Sequence, residues 1–209
     1  MPTAPQTYVS LGLIVVSALF GRASTAWAVT PDEAEQAFRG VEESASALTV
    51  RGWGADASAA LTALAEDPQR AGFVRARAIN ALRYVGQTPT IKAALVRLAN
   101  NTQQQPLLQR AALSVLALTY NELDFVAGFL SQNAFLAREG AVWALAHCAR
   151  PAARSLLVNA MSTSHDPALR TTFELALREL DASLRAAQTG SSSTSSATAR
   201  PAASSGRAR

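Results

Sequence analysis

Four stretches of this chain place apolar side chains on one helical frame, and that recurrence restricts the possible folds more than any other feature. With Val74 as position 0, Ala78 falls at position 4, Ala81 at 7 and Leu82 at 8. The frame fits again at Leu107, Ala111, Ser114 and Val115, at Ala137, Ala141, Ala144 and Leu145, and at Leu169, Phe173, Ala176 and Leu177. The starts are 33, 30 and 32 residues apart. Positions 0, 4, 7 and 8 lie within about 100° on a helical wheel, so each stretch presents one buried stripe. Small residues at 4 and 7 let neighbouring helices approach closely, and larger ones at 0 and 8 fill the space between them. A regular period of this length marks a stacked array of short units.

Second helices fall between these stretches: Thr90 to Asn101, Glu122 to Gln132, and Pro151 to Thr163. Pro151 suits a first helical turn, where its missing N–H is not needed. Upstream, Thr30 is the N-cap of a helix with Pro31 at its first position and Glu33 completing a capping box. Residues Asp56 to Asp67 form its partner helix, and the loop between them carries Trp53. This N-terminal part reads as an atypical end unit, one face of which meets water. β-Branched runs are short, and no Asn-Gly or Asp-Gly hairpin separates alternating strands. The expected fold class is therefore all-α, a right-handed α-α superhelix of about four helix pairs.

The ends of the chain differ from this body. Residues 1–28 read as an export signal. A 12-residue apolar core from Val9 to Phe20 precedes Ala26-Trp27-Ala28, a small-x-small pattern that predicts cleavage between Ala28 and Val29. No Lys or Arg precedes that core, and at 12 residues it falls short of the roughly 20 needed for a membrane span. The expected location is the periplasm or the exterior, with no membrane span in the mature chain. Residues 182–209 are rich in Ser, Ala and Thr with scattered Arg, and read as a disordered tail. The folded body, 29–181, holds 14 Arg and Lys against 15 Asp and Glu, a net charge of −1, so the basic excess belongs mainly to the tail. Cys148 is the single cysteine, which rules out an intrachain disulfide and leaves the core to hold the fold.

The stretch Val-Arg-Ala-Arg-Ala-Ile-Asn-Ala-Leu-Arg-Tyr-Val-Gly, from Val74 to Gly86, followed by a helix ending Leu-Val-Arg-Leu-Ala-Asn-Asn, resembles the short HEAT-like repeat of the bilin-lyase type. That repeat has the form Val-Arg-x-x-Ala-x-x-Ala-Leu-x-x-Leu-Gly. The resemblance covers about residues 57–181 and implies an α-solenoid. Position 1 is Leu108 in the second stretch and Arg138 in the third, Ser114 replaces Ala in the second, and Phe173 replaces Ala in the fourth. The resemblance also implies two functional classes, a protein-binding scaffold and a bilin-lyase-like or chaperone-type enzyme.

The residues themselves carry no catalytic constellation. His147 and Cys148 are adjacent, so on a helix they point about 100° apart and do not chelate one ion together. Cys148 falls on the buried stripe, and His165 sits in a turn where Asp166 caps the next helix. No phosphate-binding Gly loop and no nucleophile elbow is present, and nothing calls for a cofactor.

Charge is segregated. Between Asp67 and Glu122 the chain has no acid, while Arg70, Arg75, Arg77, Arg83, Lys92, Arg97 and Arg110 fall there; residues 30–67 hold eight acids against Arg39 and Arg51. Arg77 and Arg110, both at position 3, mark a candidate basic stripe with Lys92 and Arg97. Such a stripe either docks an acidic protein or peptide, or pairs with the acidic end unit. Position 6 holds Asn80, Leu113, Trp143 and Leu175, a row expected to pack between units, in which Trp143 is the candidate partner anchor. The leading expectation is an exported, non-enzymatic scaffold that presents its second helices to a protein or peptide. Binding of an anionic envelope polymer or membrane surface through the stripe is the other binding class, and export argues against nucleic acid.

Overall fold

The computed structural model of the chain describes residues 29–40, 45–103 and 105–194. Every regular element among them is helical. The α-helices are α1 (Pro31–Arg39), α2 (Ala47–Gly52), α3 (Ala57–Glu66), α4 (Gly72–Ala81), α5 (Pro89–Asn100), α6 (Pro106–Tyr120), α7 (Leu123–Ala127), α8 (Phe135–His147), α9 (Pro151–Thr163) and α10 (Pro167–Thr194). Among the described residues, no helix is long and apolar enough to cross a membrane. Residues 1–28, read from sequence as an export signal, and residues 195–209 of the expected tail lie outside the described residues.

Local signals start and stop these helices. The Thr30 hydroxyl accepts from the Glu33 N–H, while the Glu33 carboxylate accepts from the Thr30 N–H at 2.8 Å, which completes the capping box. Thr88 caps α5 ahead of Pro89, and Pro151 opens α9. The N-terminal run divides where glycine weakens it: α1 ends at Arg39 before Gly40, and α2 restarts behind the Ser46 cap. The helix expected from Glu122 to Gln132 is shortened for a similar reason. It tightens at Gly128 into a 3-10 turn over Gly128–Ser131, whose last hydroxyl donates to the Gly128 carbonyl. At the far end of α4, Gly86 adopts φ +86°, the left-handed conformation open to glycine at little cost.

Packing joins the first helices side by side: α1 meets α4, α4 meets α6, α6 meets α8 and α8 meets α10. The intervening helices lean on them, α3 on α4, α5 on α6, α7 on α8 and α9 on α10. One apolar core runs from Ala34 to Leu180. Its close approaches use small side chains, and a Cβ added to Gly140 of α8 would lie 3.4 Å from the Arg110 Cβ of α6.

Three of the four sequence frames coincide with buried stripes, and one does not. Val74, Ala78, Ile79, Ala81 and Leu82 are buried, as are Ala137, Ala141, Val142, Ala144 and Leu145. Leu169, Phe173 and Ala176 are buried and Leu177 is packed against the core. On α6, however, Leu107 is 49% exposed while Leu108, Ala112, Leu113, Val115 and Leu116 are buried. The stripe of α6 therefore starts at Leu108, one residue later than the sequence frame placed it. A polar contact marks the same register. Arg75 Nε donates to the Ala65 carbonyl at 2.9 Å, and Gln109 Nε2 donates to the Ala99 carbonyl at 2.7 Å. Both side chains are buried, and each satisfies a carbonyl in the last turn of the preceding helix.

Helix α10 continues through residues 182–194, where the sequence reading begins its tail. Leu180 is buried and Leu184 packs against the core, so the apolar face persists. Ala186, Ala187 and Gln188 then extend the helix at little conformational cost.

Candidate functional site

Most of the basic residues between Asp67 and Glu122 are engaged within the molecule, three of them by carboxylates. Arg70 binds Asp32 at 2.7 Å and Asp67 at 3.0 Å, and also binds Glu35. Arg97 pairs with Glu66 at 2.7 Å and Lys92 pairs with Glu122. Arg77 is spent on backbone: its Nη1 donates to the Phe38 and Gly40 carbonyls at 2.5 Å each, closing the end of α1. Arg110 is exposed and pairs with none of the described carboxylates. The register of α6 also separates it from Arg77. Counted from Leu108, Arg110 stands at position 2, so its counterpart on α4 is Ala76, which is buried. Arg77 and Arg110 thus do not stand at equivalent positions, and Arg77, Lys92 and Arg97 are each engaged within the molecule. Of the cations in this stretch, Arg70 and Arg97 pair with carboxylates of the acidic end unit, and Arg77 with its backbone.

Two N-terminal carboxyls, those of Glu35 and Asp67, are held toward their charged form. The Arg39 guanidinium bound to Glu35 holds its carboxyl below the ordinary value, with Arg70 adding to the effect. The Gln69 backbone N–H does the same for Asp67, again with Arg70 contributing.

Trp143 is half-buried against the core and stacks on His147, with ring centroids 5.6 Å apart and planes at 24°. His147 Nε2 lies 3.0 Å from Glu179 of α10. The position-6 row does not pack uniformly: Asn80 is exposed and Leu175 is 48% exposed, while the buried row is position 5 with Ile79, Leu113 and Val142. Cys148 is buried, its thiol bonded to the Leu145 carbonyl at 3.0 Å, and burial pushes that thiol up from its ordinary value. Trp53, whose loop gave no clue, packs edge-on to Phe38 at 5.8 Å.

Apart from Leu48 on α2, the large exposed apolar side chains among the described residues lie on the first helices. Phe73 (48%), Leu107 (49%) and Leu136 (52%) each stand one residue ahead of a buried stripe, in the first turn of α4, α6 and α8, with Phe135 beside Leu136. Pro106, Phe135 and Leu136 border a cleft of about 250 Å3 with Thr102 and Gln132. Arg77 lies over the Phe73 ring at 5.6 Å and Arg138 over the Phe135 ring at 5.9 Å. This loop edge is the candidate functional site.

Farther along the same edge lies a larger cleft of about 510 Å3, between the α7–α8 connection and the end of α9. Ser131, Gln132, Asn133, Arg138 and His165 supply its polar lining, and Leu130, Leu156 and Ala160 its apolar part. In the sequence, Arg138 stands out only as the residue at position 1 of the third stretch. The signal available was its equivalence to Arg75, which becomes informative only once the partner carbonyls are known. Among the described residues, no three His, Cys, Asp or Glu side chains converge as a metal site.

Compared with protein-family models, with curated proteins and with solved structures, the chain has no match.

Proposed function

We propose that this chain is an exported, non-catalytic scaffold built of HEAT-like repeats stacked as a right-handed α-α superhelix of about four helix pairs, and that its loop edge binds an extended segment of a partner protein. The observation that carries this reading is the recurrence of Phe73, Leu107 and Leu136 at one structural position on three neighbouring helices, each about half exposed. Isolated apolar residues on a surface are ordinary, but a row in register along one edge matches the anchors of an interface. The 34-residue offset shared by the Arg75–Ala65 and Gln109–Ala99 contacts supports the repeat reading. Export is supported by the apolar core Val9–Phe20 followed by Ala26-Trp27-Ala28.

The bound segment carries apolar side chains for the ridge and acidic ones for Arg110, whose charge no described carboxylate neutralises. This places the contact on the first turns of α4, α6 and α8, away from the second helices expected from sequence. The test is site-specific photocrosslinking in the native cell, with the crosslinker at residue 107 and a control at Leu48, which is 79% exposed on α2. One protein species is expected at 107 and not at 48, and Leu136→Asp is expected to abolish its capture. Capture of the same species in equal amount by the Leu136→Asp chain overturns the reading.

A further inference from the structure

We propose that the cleft between α8 and α9 binds a carboxylate attached to a short apolar group, with Arg138 as its anchor. The inference rests on the geometry of this cleft alone and is independent of the partner-binding reading above.

Arg138 occupies the position that Arg75 and Gln109 hold on α4 and α6, but it is used differently. Those two side chains are buried, and each donates to a carbonyl ten residues earlier. The carbonyl ten residues before Arg138 is that of Gly128, and it already accepts from the Ser131 hydroxyl at 3.1 Å. Arg138 takes no part in closing that helix end and turns to Asp166. Its side chain keeps 21% of its surface, and Nη2 donates to Asp166 Oδ2 at 2.9 Å. Its Nε is buried and finds no acceptor among the described residues. A guanidinium offers five N–H donors in a planar fork, so this one retains most of its capacity, including the Nε and Nη pair that grips a carboxylate from one side. Arg150 also has a buried Nε without an acceptor among the described residues, but it does not line the cleft.

The surroundings select the ligand. Asp166 is fixed in place because its other oxygen accepts the Ala168 and Leu169 N–H groups at 3.0 and 3.4 Å, capping α10. It orients Arg138 and offsets its charge. Because Asp166 already matches the charge of Arg138, a bound carboxylate leaves one negative charge in excess and a phosphate dianion leaves two, so the cleft favours the monoanion of the two. Gln132 and Asn133 add amide donors to the lining. His165 has its Nδ1 2.8 Å from the Thr163 carbonyl, which fixes Nδ1–H as the donor and leaves Nε2 free. Leu130, Leu156 and Ala160 line the rest, and a volume of about 510 Å3 accommodates the stem of a capped amino acid. The shared chemistry is a carboxylate beside an apolar side chain, supplied either by a peptide C-terminus or by an acidic side chain within a peptide.

The experiment titrates the full chain, labelled at arginine Nε, with N-acetyl-leucine, N-acetyl-leucinamide and N-acetyl-aspartate-α-amide, following the Nε–H resonances by NMR. Arg138→Lys, which keeps the charge but loses the fork, identifies the Arg138 signal. N-acetyl-leucine is expected to move that signal saturably and the leucinamide to leave it in place. Tighter binding of N-acetyl-leucine than of the aspartate amide assigns the site to a chain terminus, and the reverse order assigns it to an acidic side chain. Affinity, measured for both chains by isothermal titration calorimetry with N-acetyl-leucine, is expected to fall at least tenfold in Arg138→Lys. Equal effects of N-acetyl-leucine and its amide, no effect of either carboxylate, or unchanged affinity in Arg138→Lys each overturn the proposal. The wild-type titration stands even if the variant folds poorly.

Discussion

Leu107 and Leu108 are chemically identical neighbours that the structure places in opposite environments, which makes the register of α6 measurable. Leu108 is fully buried, and Leu107 keeps 49% of its surface. Truncating a core leucine to alanine removes transfer free energy and leaves a cavity, at a cost of roughly 2–5 kcal/mol. Leu107 has only about half of that transfer term to lose and leaves no enclosed void. At about 0.8 kcal/mol per buried methylene, its truncation costs about 1 kcal/mol. For a domain of this size, 1 kcal/mol shifts Tm by roughly 2–4 °C. Leu108→Ala is therefore expected to lower Tm by roughly 4–20 °C, and Leu107→Ala by about 4 °C or less. Thermal unfolding of both variants followed by far-UV circular dichroism compares them directly. A larger loss for Leu107→Ala would put the buried stripe back in the frame read from sequence. Arg77 and Arg110 would then stand in equivalent positions, and the basic stripe would return as a candidate site.

Gln109→Ala removes the donor to the buried Ala99 carbonyl and is expected to cost about 1–3 kcal/mol in urea unfolding, because that acceptor is left without a partner. Glu35 and Asp67 are held below their ordinary values of 4.5 and 3.8, so their contribution to stability is present above those values and is lost as pH falls through the lower folded-state values. Acidification into that range is expected to release the α1 end first, read by Trp53 fluorescence through its contact with Phe38, and Glu35→Gln is expected to flatten the response. Gly86→Ala forces a side chain into φ +86° and is expected to destabilise by about 1–2 kcal/mol in the same urea assay. Trp143, half-buried and stacked on His147, is expected to be quenched by iodide more than a core indole and less than a free one; full protection would place it inside the core.

What the sequence determined by itself is the helical content and much of its punctuation. Thr30, Pro31 and Glu33 specify the start of α1 within one turn, and Pro89 and Pro151 stand at the first positions of α5 and α9. The stripes beginning at Val74, Ala137 and Leu169 were legible because a helix returns to the same face every three or four residues. Register on α6 was not legible. Pro106-Leu107-Leu108, with Ala111 and Ala112 after Gln109-Arg110, satisfies the apolar pattern in either of two frames about 100° apart. The choice depends on which leucine meets the neighbouring helices and on Gln109 reaching Ala99. The fate of the arginines was hidden for a related reason. Arg70 meets Glu35, Arg77 meets the end of α1, and Lys92 meets Glu122, all across 30 to 39 residues of chain. Arg138 differs from Arg75 in its partner: the Gly128 carbonyl ten residues earlier accepts from Ser131, and Arg138 pairs with Asp166 instead. Caps and periodicity act within a few residues and can be read from their order, whereas a side chain's task is decided by the acceptor that packing brings to it. Only the tertiary structure supplies that acceptor.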